Sequence, residues 1–356
     1  MIKKTNLEIN NSSKLIRNFI NLFLMGIGLG VIFGSIFRTI TPTSKVFNIN
    51  QRKAIAESNS RKKIGIISNL NGLGNYKQRK ELIILSNKWK KLSDEKIDLQ
   101  VSAYLNFEDG RYAQLNAENS LPAASSIKVP ILLIALEMLD NKLLSWDELI
   151  ELKRDLIASG SGWMRYQRIG QKFPIHEIAT EMIRVSDNTA TNLLIDRIGG
   201  IEILNKRFIE LGLNQTHIKN MLPDLNGTNR TSAKDLCQVF QIADSTNFLS
   251  LKSRDLFREI LSTSKTNSLL PDGLLIGLGQ SPGNTDYNLL INGYRVYNKT
   301  GDIGISYADA GLIEMPDTSR ATSAFIVKGP FNDPRSATLI RDLSAEIINH
   351  IKTARE

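Results

Sequence analysis

Strand-like segments stand at both ends of the folded part of this chain and the stretch between them is helical, an order that few architectures accommodate. Near the front, residues 97–120 hold two extended runs around Glu108-Asp109-Gly110, a turn signal for a β-hairpin. After Leu269, residues 292–301, 306–315 and 319–329 read as strands bounded by Gly, Asp or Pro. Helical spacing covers residues 76–92, with Leu82, Ile83, Leu85 and Trp89 on or near one face. A long apolar helix covers 130–144, helical patterns continue to about Phe257, and residues 337–351 form a closing helix. The predicted class is α+β: an antiparallel sheet completed by C-terminal strands, with terminal helices on one face and a helical lobe inserted between the strands.

The net charge of +9 would suggest an anionic partner if it were spread over the surface, but it is not. Residues 1–66 carry eleven Lys and Arg against Glu8 and Glu57, while the other 290 residues carry 34 charges of each sign. Nucleic acid is therefore not an expected partner. Within the basic leader, Asn18 to Phe37 is a run of twenty uncharged residues, about the length a helix needs to cross a bilayer core. A cleaved signal would have a shorter apolar core and a small-x-small site, whereas Arg38 and then TPTSK follow here. The expected organisation is a cytoplasmic N-terminus at 1–17, a transmembrane signal anchor at 18–37, a flexible linker at 38–76 and a folded domain at 77–352. That domain would lie outside the cytoplasmic membrane, in the periplasm, with the lipid bilayer as a partner of residues 18–37. Gly26, Gly30 and Gly34 form a small-residue stripe suited to weak helix dimerisation.

One Cys excludes an intramolecular disulfide, and Cys237, in an apolar stretch, reads as core. His176, His217 and His350 make no zinc spacing. Neither metal nor organic cofactor is implied.

Chemistry concentrates in three short motifs. Ser125-Ser126-Ile127-Lys128 places an amine three residues after a hydroxyl, a spacing that shares one helical face and lets the amine take the hydroxyl proton. The same spacing occurs at Ser60/Lys63, Ser93/Lys96 and Ser262/Lys265, but only Ser125 opens a strongly apolar helix, whose buried body would fix the pair. Ser186-Asp187-Asn188 follows 61 residues later, and Lys299-Thr300-Gly301 a further 113 on, at the end of a strand-like run. Alone, the second could be a helix cap and the third a surface turn. In this order and context the three point to one acyl-transfer site.

Together they resemble the serine β-lactamase and penicillin-binding protein superfamily, and within it the class A β-lactamase branch, which SDNTATNLLIDRIGG and TNSLLPDGL also match. The resemblance covers residues 77–352 and implies a five-stranded antiparallel sheet. It implies Ser125 as the acylated nucleophile, Lys128 as its base, Ser186 as the proton relay to the leaving nitrogen, and Asn188 as holder of the substrate amide. It implies that Lys299 and Thr300, with Gly301 completing the motif, receive the substrate carboxylate. Backbone N–H groups of Ser125 and Asp302 would form the oxyanion hole. Two neighbouring ammonium groups disfavour each other's charge, which suits Lys128 to act as a base. Trp163, Tyr166 and Tyr307 are candidates for walls of the cleft.

One departure bears on the substrate. Class A β-lactamases carry a loop Glu-Pro-x-Leu-Asn whose Glu activates the deacylating water; here it reads Leu222-Pro223-Asp224-Leu225-Asn226, so Leu222 replaces that Glu. Acylation should survive and deacylation of a penicilloyl group should be slow. The pattern is similar to penicillin-binding D,D-peptidases with the class A fold. The expected activity is that of a D-alanyl-D-alanine carboxypeptidase on peptidoglycan stem peptides, acylated by β-lactams. A class A β-lactamase using another water-activating group, and a non-hydrolytic module sensing β-lactam or muropeptide, are the alternatives.

Overall fold

The computed structural model of the protein describes residues 76–266, 268–281 and 293–353. The expected anchor at 18–37, the Gly26, Gly30, Gly34 stripe and the linker up to residue 75 lie outside the described residues. Among the described residues no helix is long and apolar enough to cross a membrane. Tyr76, the last residue of the expected linker, is buried and donates its hydroxyl to Asp244 at 3.1 Å.

Five long or medium strands form the expected antiparallel order, and a two-residue strand extends it. β1 (Lys80–Glu81) pairs parallel with β3 (Arg111–Leu115), and the order across the sheet is β1-β3-β2-β10-β9-β8. β2 (Gln100–Phe107) and β3 form the predicted hairpin, closing at Gly110 with φ +88°, a conformation that favours glycine. β8 (Arg295–Asp302), β9 (Ser306–Glu314) and β10 (Arg320–Lys328) return antiparallel, leaving β8 as an edge strand. The helical spacing from residue 76 becomes helix only at α1 (Ile83–Asp94), because the chain before it bonds to the hairpin: Arg79 N–H to Gly110 O at 2.8 Å and Leu82 N–H to Tyr112 O at 2.7 Å.

α1 and α9 (Pro334–Thr353) cover one face of the sheet. Trp89 on α1 is fully buried, meets Phe325 edge-on at 5.4 Å and donates its indole N–H to Leu343 O at 2.8 Å, so one side chain joins both helices to the sheet. The other face carries the lobe: α2 (Lys128–Asp140), α3 (Ile175–Arg184), α4 (Asn188–Ile198), α5 (Ile201–Glu210), α6 (Ala233–Asp244) and α7 (Leu251–Ser262), whereas α8 (Leu270–Gly277) packs beside α9 on the first face through Leu270 and Leu274. The return to strands expected after Leu269 is thus delayed by α8. Two small sheets, β4 (Leu121–Pro122) with β7 (Arg230–Thr231) and β5 (Leu149–Glu151) with β6 (Lys172–Pro174), tie the lobe loops together.

α2 positions the chemistry. Every residue from Lys128 to Glu137 is buried, as expected of a helix apolar on all sides. Pro130 stands in its first turn, where a missing N–H breaks no helical bond. The carboxylate of Glu137 is paired with Arg207 of α5 at 2.6 and 2.9 Å, which offsets the cost of burying that charge. Cys237 on α6 is fully buried in the same core.

Candidate active site

Ser125 lies in a 3-10 turn, Ala124–Ile127, that leads directly into α2. The turn is entered through Ala124 at φ +48°, a left-handed conformation costly for a residue with a Cβ. Strand β8 closes against it because residue 301 is glycine: a Cβ there would stand 2.7 Å from Ser125 N and 2.9 Å from Ser126 N. Only an absent side chain allows this approach, and it brings the Ser125 amide beside the Gly301-Asp302 end of the strand.

Lys128 is fully buried, and its Nζ is surrounded by Ser125 Oγ at 3.2 Å, Ser186 Oγ at 3.0 Å, Ser186 O at 2.6 Å and Asn188 Oδ1 at 2.9 Å. Burial, and secondly the charge of Lys299, hold this amine well below its ordinary pKa, against the pull of Asp187. A neutral amine has two protons and one lone pair. The Ser186 carbonyl and Asn188 Oδ1 can only accept, so they take the two protons. The lone pair is left for a hydroxyl proton, and the two candidates are Ser125 and Ser186.

The Ser186-Asp187-Asn188 loop is held for this task. Ser186 has φ +58°, and Asp187 caps α4 by accepting from Ala190 N–H at 2.9 Å. The other Asp187 oxygen accepts from the amides of Trp163 and Met164 at 2.7 and 2.8 Å. Gly162 allows that contact, since a Cβ there would lie 2.1 Å from Asp187 Cγ. Asn188 donates to Ser159 O at 2.9 Å while accepting from Lys128, and its second amide proton is available to a ligand carbonyl.

Lys299 is also fully buried and donates to Thr300 O at 2.7 Å. Burial lowers its pKa to about 8, with Asp309 opposing. Asp309 faces the other side of the sheet, where it accepts from Asn298 Nδ2 at 2.9 and 3.0 Å and from Leu270 N–H at 2.9 Å; burial raises its pKa to about 7. Thr300 donates to Thr266 Oγ1 at 2.6 Å. The Asp302 carboxylate accepts from Gly304 N–H at 2.7 Å, which fixes the turn after the motif.

The loop with the departure is anchored one helical turn along α4 from Asn188. Asn192 accepts from Leu222 N–H at 2.9 Å and donates to Leu222 O at 2.8 Å, a two-point clamp on the backbone. Leu222 is buried, and its bond to Pro223 is cis. Asp224 is turned into its own loop, accepting from Thr228 Oγ1 at 2.8 Å and Asn229 N–H at 2.6 Å, so its carboxylate is already engaged. Asn226 is exposed at the loop surface.

The structure thus brings Ser125, Lys128, Ser186 and Asn188 into direct contact and sets Lys299, Thr300 and Gly301 on the adjoining strand. Three aromatic expectations change. Trp163 sends its indole N–H to Glu181 at 2.7 Å and its ring edge-on to Phe173 at 6.0 Å, so it anchors the loop through its backbone bond to Asp187. Tyr166 is largely exposed and stacks with Arg165. Tyr307 packs on the terminal-helix side of the sheet, because strand alternation turns it opposite to Ala308 and Ala310. The sequence reading named Asp187 only within a motif that could be a helix cap, and assigned no role to Asn192, Gly162 or Thr266.

Comparison with known proteins agrees with this geometry. Residues 85–351 match the family described as the β-lactamase enzyme family. The structure resembles that of PBP-A, with 36% identity, a TM-score of 0.71, and coverage of 78% of this chain and 98% of that one. A Leu-to-Glu mutant of PBP-A, solved as an acyl-enzyme complex with penicillin G, matches equally at 36% and 0.71, over 78% and 99% of the two chains. A β-lactamase from Sphaerobacter thermophilus, at 20% identity, TM-score 0.64 and coverage of 76% and 97%, shares the fold. Among curated relatives, β-lactamase ROB-1 of Haemophilus influenzae is 26% identical over 43% of this chain and 50% of its own length. A β-lactamase of Bacteroides uniformis is 22% identical over 69% of this chain and 84% of its own. The chain spans about half the length of the first curated relatives it matches. The matched span, the sheet with its helical lobe, and the Ser125-Lys128 centre agree: the chain belongs to the β-lactamase enzyme family, in the serine β-lactamase and penicillin-binding protein superfamily.

Proposed function

We propose that this protein is a serine D,D-peptidase of the D-alanyl-D-alanine carboxypeptidase type, acting on peptidoglycan stem peptides and acylated by β-lactams that it releases slowly. The observation that carries this reading is the loop at Leu222. Its backbone is clamped by Asn192 next to the centre, yet its side chain can neither orient nor deprotonate water, and Asp224 is engaged elsewhere.

In the proposed mechanism the penultimate D-Ala carbonyl lies over Ser125, with its oxygen on the Ser125 and Asp302 amides. Lys128 takes the hydroxyl proton as Oγ attacks, and the oxygen gains its charge where the two amides stabilise it. Ser186 passes a proton to the departing amine as the C–N bond breaks. Lys299 and Thr300 hold the terminal carboxylate. With a peptide, the freed D-Ala leaves and water can enter. In a penicillin the broken amide stays tethered within the acyl group, so the same site remains covered.

Release of D-Ala from peptides ending in D-Ala-D-Ala, at a rate abolished by Ser125→Ala, is the expected result; no release would sink this reading. The curated relatives named as β-lactamases favour the second reading, hydrolysis of β-lactams, which many turnovers of penicillin per protein would establish. We also propose that residues 18–37 anchor the chain in the cytoplasmic membrane with the catalytic domain outside. External protease should then digest the domain in spheroplasts, and its protection in intact spheroplasts would contradict this placement.

A further inference from the structure

We propose that Thr266 is a positioning residue for the free carboxylate of the ligand, acting together with Lys299 and Thr300. This rests on the reading that Ser125 is acylated by ligands bearing such a carboxylate.

The strand beside the Lys-Thr-Gly motif supplies no cation. From Ser306 to Glu314, β9 contains neither Lys nor Arg, and the residues opposite Lys299 and Thr300 are Ala310 and Asp309. No guanidinium fork reaches the ligand from that strand, and the motif itself offers a carboxylate the point charge of Lys299. One of its protons is already given to Thr300 O. A single ammonium attracts an anion without fixing its orientation, and a second, directional donor is needed to fix it.

Thr266 has the position and a weakly engaged proton for that role. Thr300 spends its hydroxyl proton on Thr266 Oγ1 at 2.6 Å. The donor that this pair presents is therefore the Thr266 O–H. Its other neighbouring hydroxyl, Ser264 Oγ, is 3.5 Å away, at the weak limit of a hydrogen bond. The loop that delivers Thr266 is fixed: Lys265 N–H bonds to Arg184 O at the end of α3 at 2.9 Å, and Ser264 N–H bonds to Leu261 O at 3.2 Å. Thr266 is half-buried, so its hydroxyl reaches a ligand without being dissolved in bulk water. One directional hydroxyl donor beside an ammonium gives a carboxylate an oriented hydrogen bond as well as a charge. In sequence Thr266 lies outside all three catalytic motifs, and the fold brings it against Thr300.

The test compares full-length wild type, Thr266→Val and Thr266→Ser in the rate of Ser125 acylation by penicillin G and by its methyl ester, read by intact-protein mass spectrometry. Wild type should prefer the acid, and Thr266→Val should reduce that preference by about 10- to 100-fold, the worth of one charge-assisted hydrogen bond. Thr266→Ser should restore it. A role limited to tying the loop to β8 would slow both compounds alike and leave the preference intact, which overturns the proposal. A wild type that reacts equally with acid and ester, or with neither, also overturns it. Failure of D-Ala release with the preference intact would sink the peptidase reading and leave Thr266 in place.

Discussion

The Ser125 centre and the loop from Leu222 to Asn229 both hang on helix α4, Asn188 touching Lys128 and Asn192, one turn later, holding Leu222. In the first region every held group also has a chemical task. In the second the scaffolding is intact and the reactive group is missing: the Leu222 backbone is clamped, Asp224 closes the loop, and a hydrocarbon fills the place. On the proposed function, acylation and deacylation are separable modules, and a single side chain in the second region changes the fate of the covalent intermediate without touching its formation.

The largest expected effect lies in the first region. Lys128→Ala removes the base and should slow acylation by penicillin about 10²- to 10⁴-fold, measured as adduct mass against time. An adduct forming at the wild-type rate would show that another group takes the Ser125 proton. In the second region, Leu222→Glu should speed loss of the adduct by about 10²-fold or more while leaving its formation intact. An unchanged adduct lifetime would mean that Leu222 is not at the water-activating position.

Asn192→Ala sharpens the comparison from the side of stability. It orphans the buried N–H and C=O of Leu222, at about 1–3 kcal/mol for each group left unsatisfied, and should lower the denaturant midpoint while Ser125 still acylates. Equal loss of acylation would mean that the two regions are not separable.

A smaller effect concerns pH. Lys128 must be neutral to accept a proton and Lys299 charged to hold a carboxylate. Acylation by carboxylate-bearing ligands should therefore fall as pH rises through about 8, where Lys299 loses its proton. Because burial depresses the Lys299 pKa from its ordinary 10.5 to about 8, the folded state binds fewer protons than the unfolded state in that window. Its contribution to stability should then rise with pH from 8 to 10.5 while activity falls. Parallel loss of both would assign the limb to unfolding.

The three motifs were legible in the sequence because each is local: a hydroxyl and an amine at helical spacing, a capped loop, a strand end. The sheet and its inserted lobe were legible for the same reason, through runs long enough to show a period. What remained hidden depends on the chain meeting itself. Thr266 is an ordinary loop threonine until it lies against Thr300, and Asn192 an ordinary helical asparagine until it meets Leu222. The β1 pairing that delays α1, and the small sheets at residues 121–122 and 149–151, involve two or three residues, too few to alternate. Tyr307 looked like a cleft wall because it follows the motif in sequence, but the face it occupies is set by pairing register with β8.

Mixing the full-length protein with penicillin G and following its intact mass, alongside D-Ala release from a D-Ala-D-Ala peptide, tests the central claim most directly. The expected record is one penicilloyl mass per chain on Ser125, formed quickly and persisting, with the same preparation turning over the peptide until penicillin is added. Repeated turnover of penicillin, with an adduct that decays as fast as it forms, would contradict the account and make the Leu222 loop irrelevant to deacylation.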